Sequence, residues 1–193
     1  MPIDMLYDTF PHFTTQRLLL REITPADTDA LFALYGDEEV ARWMDIYTLN
    51  DRQQAVELVD FYRERYAMRS GVRWAIALRG EPAHMIGTCG FNGFDHECRR
   101  SEIGYDLTPA CWRRGLMGEA LTAILEYGFN VLELNRVEAI TLPDNLASQA
   151  VLQKLGFQRE GTLRQRSYYR DQFQDDVHFG LLRADWERLH PRL

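Results

Sequence analysis

The sequence predicts an α/β domain in which helices cover a mixed β-sheet. Helical and strand-like hydrophobic periods both occur, in separate segments of the chain. With 193 residues, 46% of them hydrophobic and 12% aromatic, the chain is long and apolar enough to bury one ordinary core. Neither an internal repeat nor a low-complexity linker divides it. We therefore expect a single domain over residues 1–193, with its core at about residues 14–187.

The first part of the chain contains one predicted strand, residues 17–23, and two predicted helices. Thr24 has the character of an N-cap, with Pro25 at the first helical position, and Asp51 is expected to cap a longer helix that ends at Gly71. The apolar residues at helical spacing are Leu31, Leu34 and Tyr35 in the first helix, and Ala55, Leu58, Val59, Tyr62 and Tyr66 in the second.

From residue 73 the hydrophobic period becomes that of strands. The predicted strands of this part are residues 73–78, 84–92 and 101–107, with a turn at 79–82 and a polar hairpin loop at 95–99. The rest of the chain has the pattern helix, strand, helix, strand, strand, at residues 114–131, 136–141, 145–155, 157–166 and 175–182.

Charge and cysteine content limit the classes of function. Lys and Arg number 22 against 29 Asp and Glu, and the net charge of −7 argues against a general nucleic-acid binder and mildly favours cationic substrates. Cys89, Cys98 and Cys111 form no disulfide framework, which favours a reducing compartment. Residues 1–13 lack a signal-peptide pattern, and no apolar run approaches the ~20 residues of a membrane helix. We expect a cytoplasmic protein without a membrane or nucleic-acid partner.

The block at residues 102–120 carries the strongest chemical signal. A strand leads into a short loop that contains Arg113, Arg114, Gly115 and Gly118, and a helix begins there. A helix start presents free N–H groups and the positive end of its dipole, and glycine lets a bulky anion approach the main chain. The pattern fits either a phosphate site or a basic, glycine-containing loop that only starts a helix.

Residues 112–118, Trp-Arg-Arg-Gly-Leu-Met-Gly, resemble the acyl-CoA-binding segment of the GNAT acetyltransferases, usually [Gln/Arg]-x-x-Gly-x-[Gly/Ala]. Trp112 and Met117 depart from that pattern. They are similar to the RimJ/RimL-type subgroup, which acetylates protein N-termini and often has Tyr-Trp-Gly-[Lys/Arg]-Gly here. The resemblance implies that this segment binds coenzyme A, chiefly through the main-chain groups of Arg113, Arg114, Gly115, Met117 and Gly118. It implies cofactor contacts for Tyr105 and Leu107 on the preceding strand as well.

A second segment, residues 145–157, is similar to the family's Asn-x-x-Ser/Ala-x-x-x-x-x-Lys-x-Gly-Phe stretch. The resemblance implies that Asn145 contacts the pantetheine arm or the acyl carbonyl region, and it adds Lys154 to the cofactor-binding residues. The residues by themselves make Asn145 a helix N-cap and Gly156 a left-handed helix stop. Both interpretations can hold together, because a capping residue lies where a helix end meets the cleft.

Two side chains are candidates for catalysis. Many members of the family have a tyrosine, which protonates the leaving thiolate, where this chain has Leu152. Ser148, one helical turn earlier, is then the candidate donor as well as a cofactor contact, with an ordinary helix serine as the alternative. Glu102 is the candidate general base, directly or through water, against a half-exposed strand glutamate. Asp106 shares its face of the strand and is the reserve candidate.

Other polar groups are expected to be structural or solvated. Asp95, His96, Glu97 and Cys98 match no strong zinc spacing, so we predict a hairpin tip and no metal site. A solvated strand edge is the expectation for the group Arg164, Arg166, Tyr168, Tyr169 and Arg170, with a surface that faces a peptide or the cofactor as the alternative.

The resemblance covers nearly the whole chain, from the opening strand at residues 15–21 to the late strand at 157–164. It implies a GNAT fold, in which a mixed, mostly antiparallel sheet is flanked by helices and splays between two parallel strands, here 101–107 and 136–141. It further implies direct transfer of an acetyl group from acetyl-CoA to a primary amine in a ternary complex.

The first expectation for the acceptor is a protein N-terminal α-amine, such as that of a ribosomal protein. The alternatives are a small amine (an amino acid, polyamine or aminoglycoside) and a non-catalytic CoA-binding module. The resemblance leaves open both a monomer and a homodimer.

Overall fold

The computed structural model describes residues 2–44 and 46–191 of the chain. Its strands are β1 (Phe13–Thr14), β2 (Leu18–Glu22), β3 (Val72–Leu78), β4 (Glu81–Asp95), β5 (Arg100–Leu107), β6 (Arg136–Thr141), β7 (Gln158–Tyr169) and β8 (Gln172–Leu182). Its α-helices are α1 (Thr28–Tyr35), α2 (Glu38–Ala41), α3 (Arg52–Ala67), α4 (Leu116–Asn130), α5 (Leu146–Lys154) and α6 (Arg183–Leu189).

The eight strands form one sheet in the order β1-β2-β3-β4-β5-β6-β8-β7. Every neighbouring pair is antiparallel except β5 and β6, which run parallel. The predicted antiparallel pairing of β4 with β5 and parallel pairing of β5 with β6 are therefore confirmed. The mixed, mostly antiparallel sheet flanked by helices is the fold class that the sequence predicts.

Helices cover both faces of the sheet. The buried face of α4 packs into the larger core, which the inward residues of β6 and β8 and the residues Leu152 and Trp186 also join. On the opposite face, α1 and α3 enclose a second core through Leu31, Tyr35 and Val59. Burying one such large apolar side chain contributes about 1.5–3 kcal/mol, so each helix layer is held mainly by its apolar stripe.

The capping signal at Asp51 places the start of α3 correctly. The Asp51 carboxylate accepts a hydrogen bond from the Gln53 N–H at 2.9 Å, as the sequence predicts. Thr24, the predicted cap of the first helix, instead caps a short 3-10 turn at Pro25–Asp27, and α1 begins only at Thr28. The helix α3 ends at Ala67, so Gly71 lies beyond its end and does not terminate it.

Several boundaries differ from the sequence prediction. The turn after β3 is confined to Arg79 and Gly80, because β4 already begins at Glu81. Register shifts between β3 and β4 break the simple alternation there, which hides the start of the strand and accommodates Pro82. The strands β7 and β8 also extend toward each other, leaving a turn at Arg170 and Asp171, two residues with positive φ.

Two short elements at the ends of the chain were not predicted. The 3-10 helix Pro2–Tyr7 buries Ile3 and Leu6 in the larger core. The helix α6 buries Trp186, whose ring stacks on Phe129 of α4 at 5.7 Å between centroids. Such short helices are stabilised by tertiary packing rather than by their own sequence, so their local pattern is weak. In the described part of the chain, no helix has the length and apolar character to cross a membrane.

Candidate active site

A gap opens in the sheet between β5 and β6. The two strands pair only through three residues each, Arg100–Glu102 opposite Arg136–Glu138. Beyond that point β5 continues to Leu107 in pairing with β4, and β6 continues to Thr141 in pairing with β8. Within the described residues, the facing edges of the two strands are therefore left without a strand partner after Glu102 and Glu138. This is the predicted splay.

The backbone of β5 presents hydrogen-bonding groups to this gap. The Thr108 N–H donates to the Ile86 carbonyl at 2.9 Å, which fixes the alternation of the antiparallel ladder between β4 and β5. By that alternation, the main-chain groups of Tyr105 and Leu107 point away from β4 and toward the gap. The Leu107 carbonyl already accepts a hydrogen bond from the Trp112 indole N–H at 2.6 Å. The groups left for a ligand are thus the Tyr105 main chain and the Leu107 N–H.

The loop after β5 starts helix α4 in a strained but open conformation. Arg113 and Gly115 both have positive φ, 58° and 72°, and Gly115 is the N-cap of the helix. The Glu119 N–H makes the first intrahelical bond, to the Gly115 carbonyl at 3.2 Å. The N–H groups of residues 116–118 lie before that bond and have no acceptor in the helix. A Cβ built on Gly118 would meet no atom within 4 Å, so the space beside the helix start is open.

The carboxylate of Glu119 ties the start of α4 to the segment just before β2. Glu119 accepts hydrogen bonds from the Thr15 hydroxyl at 2.6 Å, the Arg17 N–H at 2.8 Å and the Arg17 Nε at 2.6 Å. Arg17 also donates to the Arg114 carbonyl at 2.9 Å. Partial burial opposes ionisation, but these hydrogen bonds hold the pKa of Glu119 below its ordinary value. The loop is therefore fixed from outside, and its helix-start N–H groups are left unused.

A pair of hydroxyl groups joins β5 to α5. The Tyr105 hydroxyl lies 2.7 Å from the Ser148 Oγ. Ser148 is itself held in place, because its N–H donates to the Asn145 Oδ1 at 3.1 Å, which confirms Asn145 as the N-cap of α5. Burial raises the pKa of the Tyr105 phenol, so the proton stays on that oxygen through the neutral range. Leu152, at the position where many members of the resembled family have a tyrosine, is fully buried at 0% exposure.

Glu102 and Asp106 share the opposite face of β5 but differ in surroundings. Glu102 is partly exposed and accepts a hydrogen bond from the Asn92 side-chain amide at 3.1 Å. Asp106 forms an ion pair with Arg73, and the two side chains are only 7% and 10% exposed. Burial raises the pKa of the Asp106 carboxyl, an effect that Arg73 opposes. Asp106, the reserve candidate for the base, is therefore committed to an internal ion pair beneath α1.

The structure brings together only part of the predicted site. Tyr105, Asn145 and Ser148 are in direct hydrogen-bonding contact. Lys154 is exposed in the last turn of α5, about 9 Å along the helix axis from Ser148. The family resemblance predicts Tyr105 as a cofactor-binding residue, but it gives no sign of the contact between the Tyr105 hydroxyl and Ser148. No sequence spacing could have found it, because 43 residues separate Tyr105 from Ser148.

A cleft of about 530 Å³ lies at the end of β6, beside the gap. The loop directly after β6 forms one wall, and the hairpin between β7 and β8 forms another. The lining residues are Arg42, Trp43, Leu142, Pro143, Asp144, Tyr169, Arg170, Gln172, Phe173, Gln174 and Asp175. Phe173 is exposed and meets the ring of Tyr168 edge to face at 5.0 Å.

The predicted solvated edge at residues 164–170 is wrong for Tyr169. Its side chain is buried, and its hydroxyl donates to the carbonyls of Ala41, at 3.1 Å, and Ile46. These contacts hold the tip of the hairpin between β7 and β8 against the end of α2 and against Ile46. Partners more than 120 residues away in the chain explain why the local pattern gave no sign of this packing.

Comparisons with known proteins agree with this geometry. The family described as the acetyltransferase (GNAT) domain matches residues 17–158. YoaA of Bacillus subtilis (strain 168), named an uncharacterized N-acetyltransferase, is 39% identical over 159 residues, which cover 82% of this chain and 89% of YoaA. A solved structure from Vibrio cholerae, described provisionally as a ribosomal-protein-serine acetyltransferase, is 26% identical with a TM-score of 0.79, over 90% of this chain and 98% of that one.

Other similar proteins have names that state an acceptor or a bound cofactor. YdaF of Bacillus subtilis (strain 168), provisionally named a ribosomal N-acetyltransferase, is 26% identical over 89% of this chain and 94% of YdaF. The spermidine N(1)-acetyltransferase of Escherichia coli (strain K12) is 29% identical over 63% of this chain and 64% of that enzyme. RimJ of Mycobacterium smegmatis, solved in complex with CoA-disulfide, is 18% identical over 94% of both chains with a TM-score of 0.80, which shows the shared fold.

The sheet with its single parallel pair and the family match over residues 17–158 lead to one conclusion. The chain belongs to the GNAT acetyltransferase family and is an acetyl-CoA-dependent N-acetyltransferase.

Proposed function

We propose that this enzyme acetylates the N-terminal α-amine of a protein, by direct transfer from acetyl-CoA in a ternary complex. The observation that carries the choice of acceptor is the charge of the cleft beside the gap. Its lining contains two arginines and two aspartates, so it offers little net attraction to a polyamine with several positive charges. One of the two carboxylates, Asp175, also accepts the Gln165 N–H at 2.8 Å.

The aromatic side chains of the cleft also support a polypeptide acceptor. Trp43 and Phe173 line it, and the exposed ring of Tyr168 adjoins Phe173. Aromatic surfaces of this kind bury apolar parts of a peptide with little loss of side-chain freedom. The provisional names of YdaF and the Vibrio cholerae protein refer to ribosomal acceptors, and they support the same class.

The helix start and the gap fit the two halves of coenzyme A. The free N–H groups of residues 116–118 and the open space at Gly118 suit a pyrophosphate, which the dipole of α4 would further stabilise. Arg113 and Arg114 are exposed beside that start. The main chain of Tyr105 and the Leu107 N–H would pair with the amides of the pantetheine arm, much as an added strand does. Asn145 and Lys154 would border the same arm from α5.

Acetyl-CoA supplies the activated acetyl group as a thioester. An α-amine has an ordinary pKa near ~8, so about one in ten is neutral at pH 7, against roughly one lysine in a thousand or fewer. In our proposal the neutral amine nitrogen attacks the thioester carbon, a C–N bond forms, and the C–S bond breaks. Glu102 receives the proton that leaves nitrogen, directly or through water. The hydroxyl pair of Tyr105 and Ser148 delivers one proton to the departing sulfur. Solvent then returns a proton to the hydroxyl pair and takes one from Glu102, so both groups regain their starting protonation.

The cofactor site makes a first prediction. Arg114→Ala should weaken CoA binding only modestly, because main-chain N–H groups do most of the binding. Gly115→Val should weaken it by about tenfold or more, because a β-branched residue is strained at φ 72° by roughly 1–3 kcal/mol and would crowd the pyrophosphate. Calorimetric titration with CoA measures both. Equal losses for the two variants would mean that the arginine side chain, rather than the main chain, recognises the phosphate.

The proton-transfer groups make a second prediction. Glu102→Ala should lower kcat by about a hundredfold or less, because general-base assistance is worth ~10²–10⁴-fold and an α-amine is already partly neutral. That defect should shrink as pH rises, since the fraction of free amine grows. Tyr105→Phe should lower kcat without such a rescue, because burial raises the pKa of the phenol and keeps it a donor in this range. Ser148→Ala should follow Tyr105→Phe with a smaller loss.

The measurement for this second prediction is kcat against pH with a good peptide acceptor. CoA affinity, titrated in parallel, should stay nearly constant in all three variants. A Glu102→Ala enzyme that matches the parent at pH 7 would leave positioning of the amine as the main catalytic device. A Tyr105→Phe enzyme that recovers at high pH would show that its hydroxyl does not serve the leaving thiolate.

The acceptor makes a third prediction. In a screen that reads thiol release, peptides with a free N-terminus should give a higher kcat/KM than spermidine, free amino acids or aminoglycosides. The matched control is the same peptide with a blocked N-terminus and an internal lysine, which should be poor. Preference for spermidine would favour the function of the Escherichia coli relative instead. Binding of acetyl-CoA without thiol release from any amine would favour a non-catalytic module.

A further inference from the structure

A buried network of polar side chains crosses the sheet on the face that carries Glu102. At its centre, the Arg73 guanidinium pairs with Asp106 and donates from Nε to the Thr88 Oγ1 at 2.9 Å. The hydroxyl of Tyr35 donates to the same Asp106 carboxylate at 3.1 Å. The remaining terminal nitrogen of Arg73, Nη1, lies 3.5 Å from the Asn92 Oδ1. The polar network therefore extends from the ion pair to Asn92.

Asn92 connects this polar network to Glu102. Its Nδ2 donates to the Glu102 Oε1 at 3.1 Å, while its Oδ1 faces Arg73. The orientation of the amide is dictated by its neighbours, because a guanidinium can only donate and a carboxylate can only accept. The backbone of the same residue is also held, since the Arg65 Nη2 donates to the Asn92 carbonyl. Asn92 is thus fixed at both its main chain and its side chain.

A pair of facing glycines leaves room for this contact. Gly90 of β4 lies directly opposite Gly104 of β5, and Gly104 lies between Glu102 and Asp106 along the strand. A Cβ on Gly104 would lie 2.7 Å from the Arg73 Nη1 and 3.0 Å from the Asn92 Nδ2. Any larger residue there would displace the side chains that reach Glu102. The space above Gly104 is therefore needed by the side chains of the polar network.

We propose that Asn92 is a positioning residue for Glu102. Arg73 fixes the side-chain amide of Asn92, and that amide holds the Glu102 carboxylate toward the acceptor amine. The proposal rests on the proposed role of Glu102 as the base. With Oε1 bound to Asn92, the carboxylate has one fixed direction, and its second oxygen is left to receive the proton. Fixing a catalytic group in this way matters because a misplacement of about 1 Å can cost on the order of a hundredfold in rate.

The sharpest test is Asn92→Asp, which keeps the shape of the side chain and its contact with Arg73. It replaces the donor that faces Glu102 by an acceptor, so two carboxylates would meet and repel each other. We expect kcat to fall by roughly tenfold to a hundredfold while KM for acetyl-CoA stays unchanged. Asn135→Asp adds the same charge at an exposed position before β6 and is the matched control, with kcat expected to stay at the parent value.

Glu102→Gln completes a double-mutant cycle. If Asn92 acts through Glu102, adding N92D to E102Q should cause no further loss of kcat. In the double variant the hydrogen bond can also form in the reverse direction, because the new amide at position 102 can donate to the new carboxylate at position 92. The double variant should therefore melt at the parent's Tm even if N92D alone is destabilised, which separates repulsion from a general folding defect.

The possible outcomes distinguish the two proposals. A slow E102Q enzyme together with a fully active N92D enzyme overturns the positioning role and leaves the base in place. Additive losses in the double variant overturn the positioning role as well, because Asn92 would then act elsewhere. An E102Q enzyme as fast as the parent removes the base itself, and with it the role of Asn92.

Discussion

The early parting of β5 from β6 is the constraint on which the rest of the site depends. Three paired residues on each strand hold the sheet together, and the strands then separate. Backbone groups that lack a strand partner must be paired with a side chain, with water or with a ligand, so the open edge of β5 offers hydrogen-bonding groups to a bound molecule. The main chain of Tyr105 and the Leu107 N–H are the groups concerned. A nearby side chain already satisfies the Leu107 carbonyl, through the indole of Trp112.

The parting also divides the chemistry between the two faces of the sheet. Tyr105 packs on the α4 face, where its hydroxyl meets Ser148 of α5. Glu102 lies on the other face, above the ion pair that α1 and α3 cover. In the proposed reaction, the proton that leaves the amine and the proton that reaches the sulfur therefore travel on opposite sides of β5. The period of two along a strand is enough to produce this separation from neighbouring residues.

Much of the fold could be predicted because its signals are local. The Asp51 cap, the Asn145 cap and the strand, loop and helix at residues 101–131 each depend on residues close in sequence. The bond between Tyr105 and Ser148 and the ion pair between Arg73 and Asp106 join residues 43 and 33 positions apart, and only the folded sheet brings them together. For the same reason, face-sharing alone made Asp106 look available as a base, although helices bury it.

The central claim is that main-chain groups left open at the gap and at the start of α4 hold coenzyme A. Amide hydrogen exchange, followed residue by residue with and without CoA, tests it most directly, because each of those N–H groups would gain an acceptor. The account predicts that CoA slows exchange at Leu116, Met117 and Gly118 and at Tyr105 and Leu107, while the aromatic cleft at Trp43 and Phe173 stays unchanged. Protection of the cleft with no change at the helix start or along β5 would contradict it.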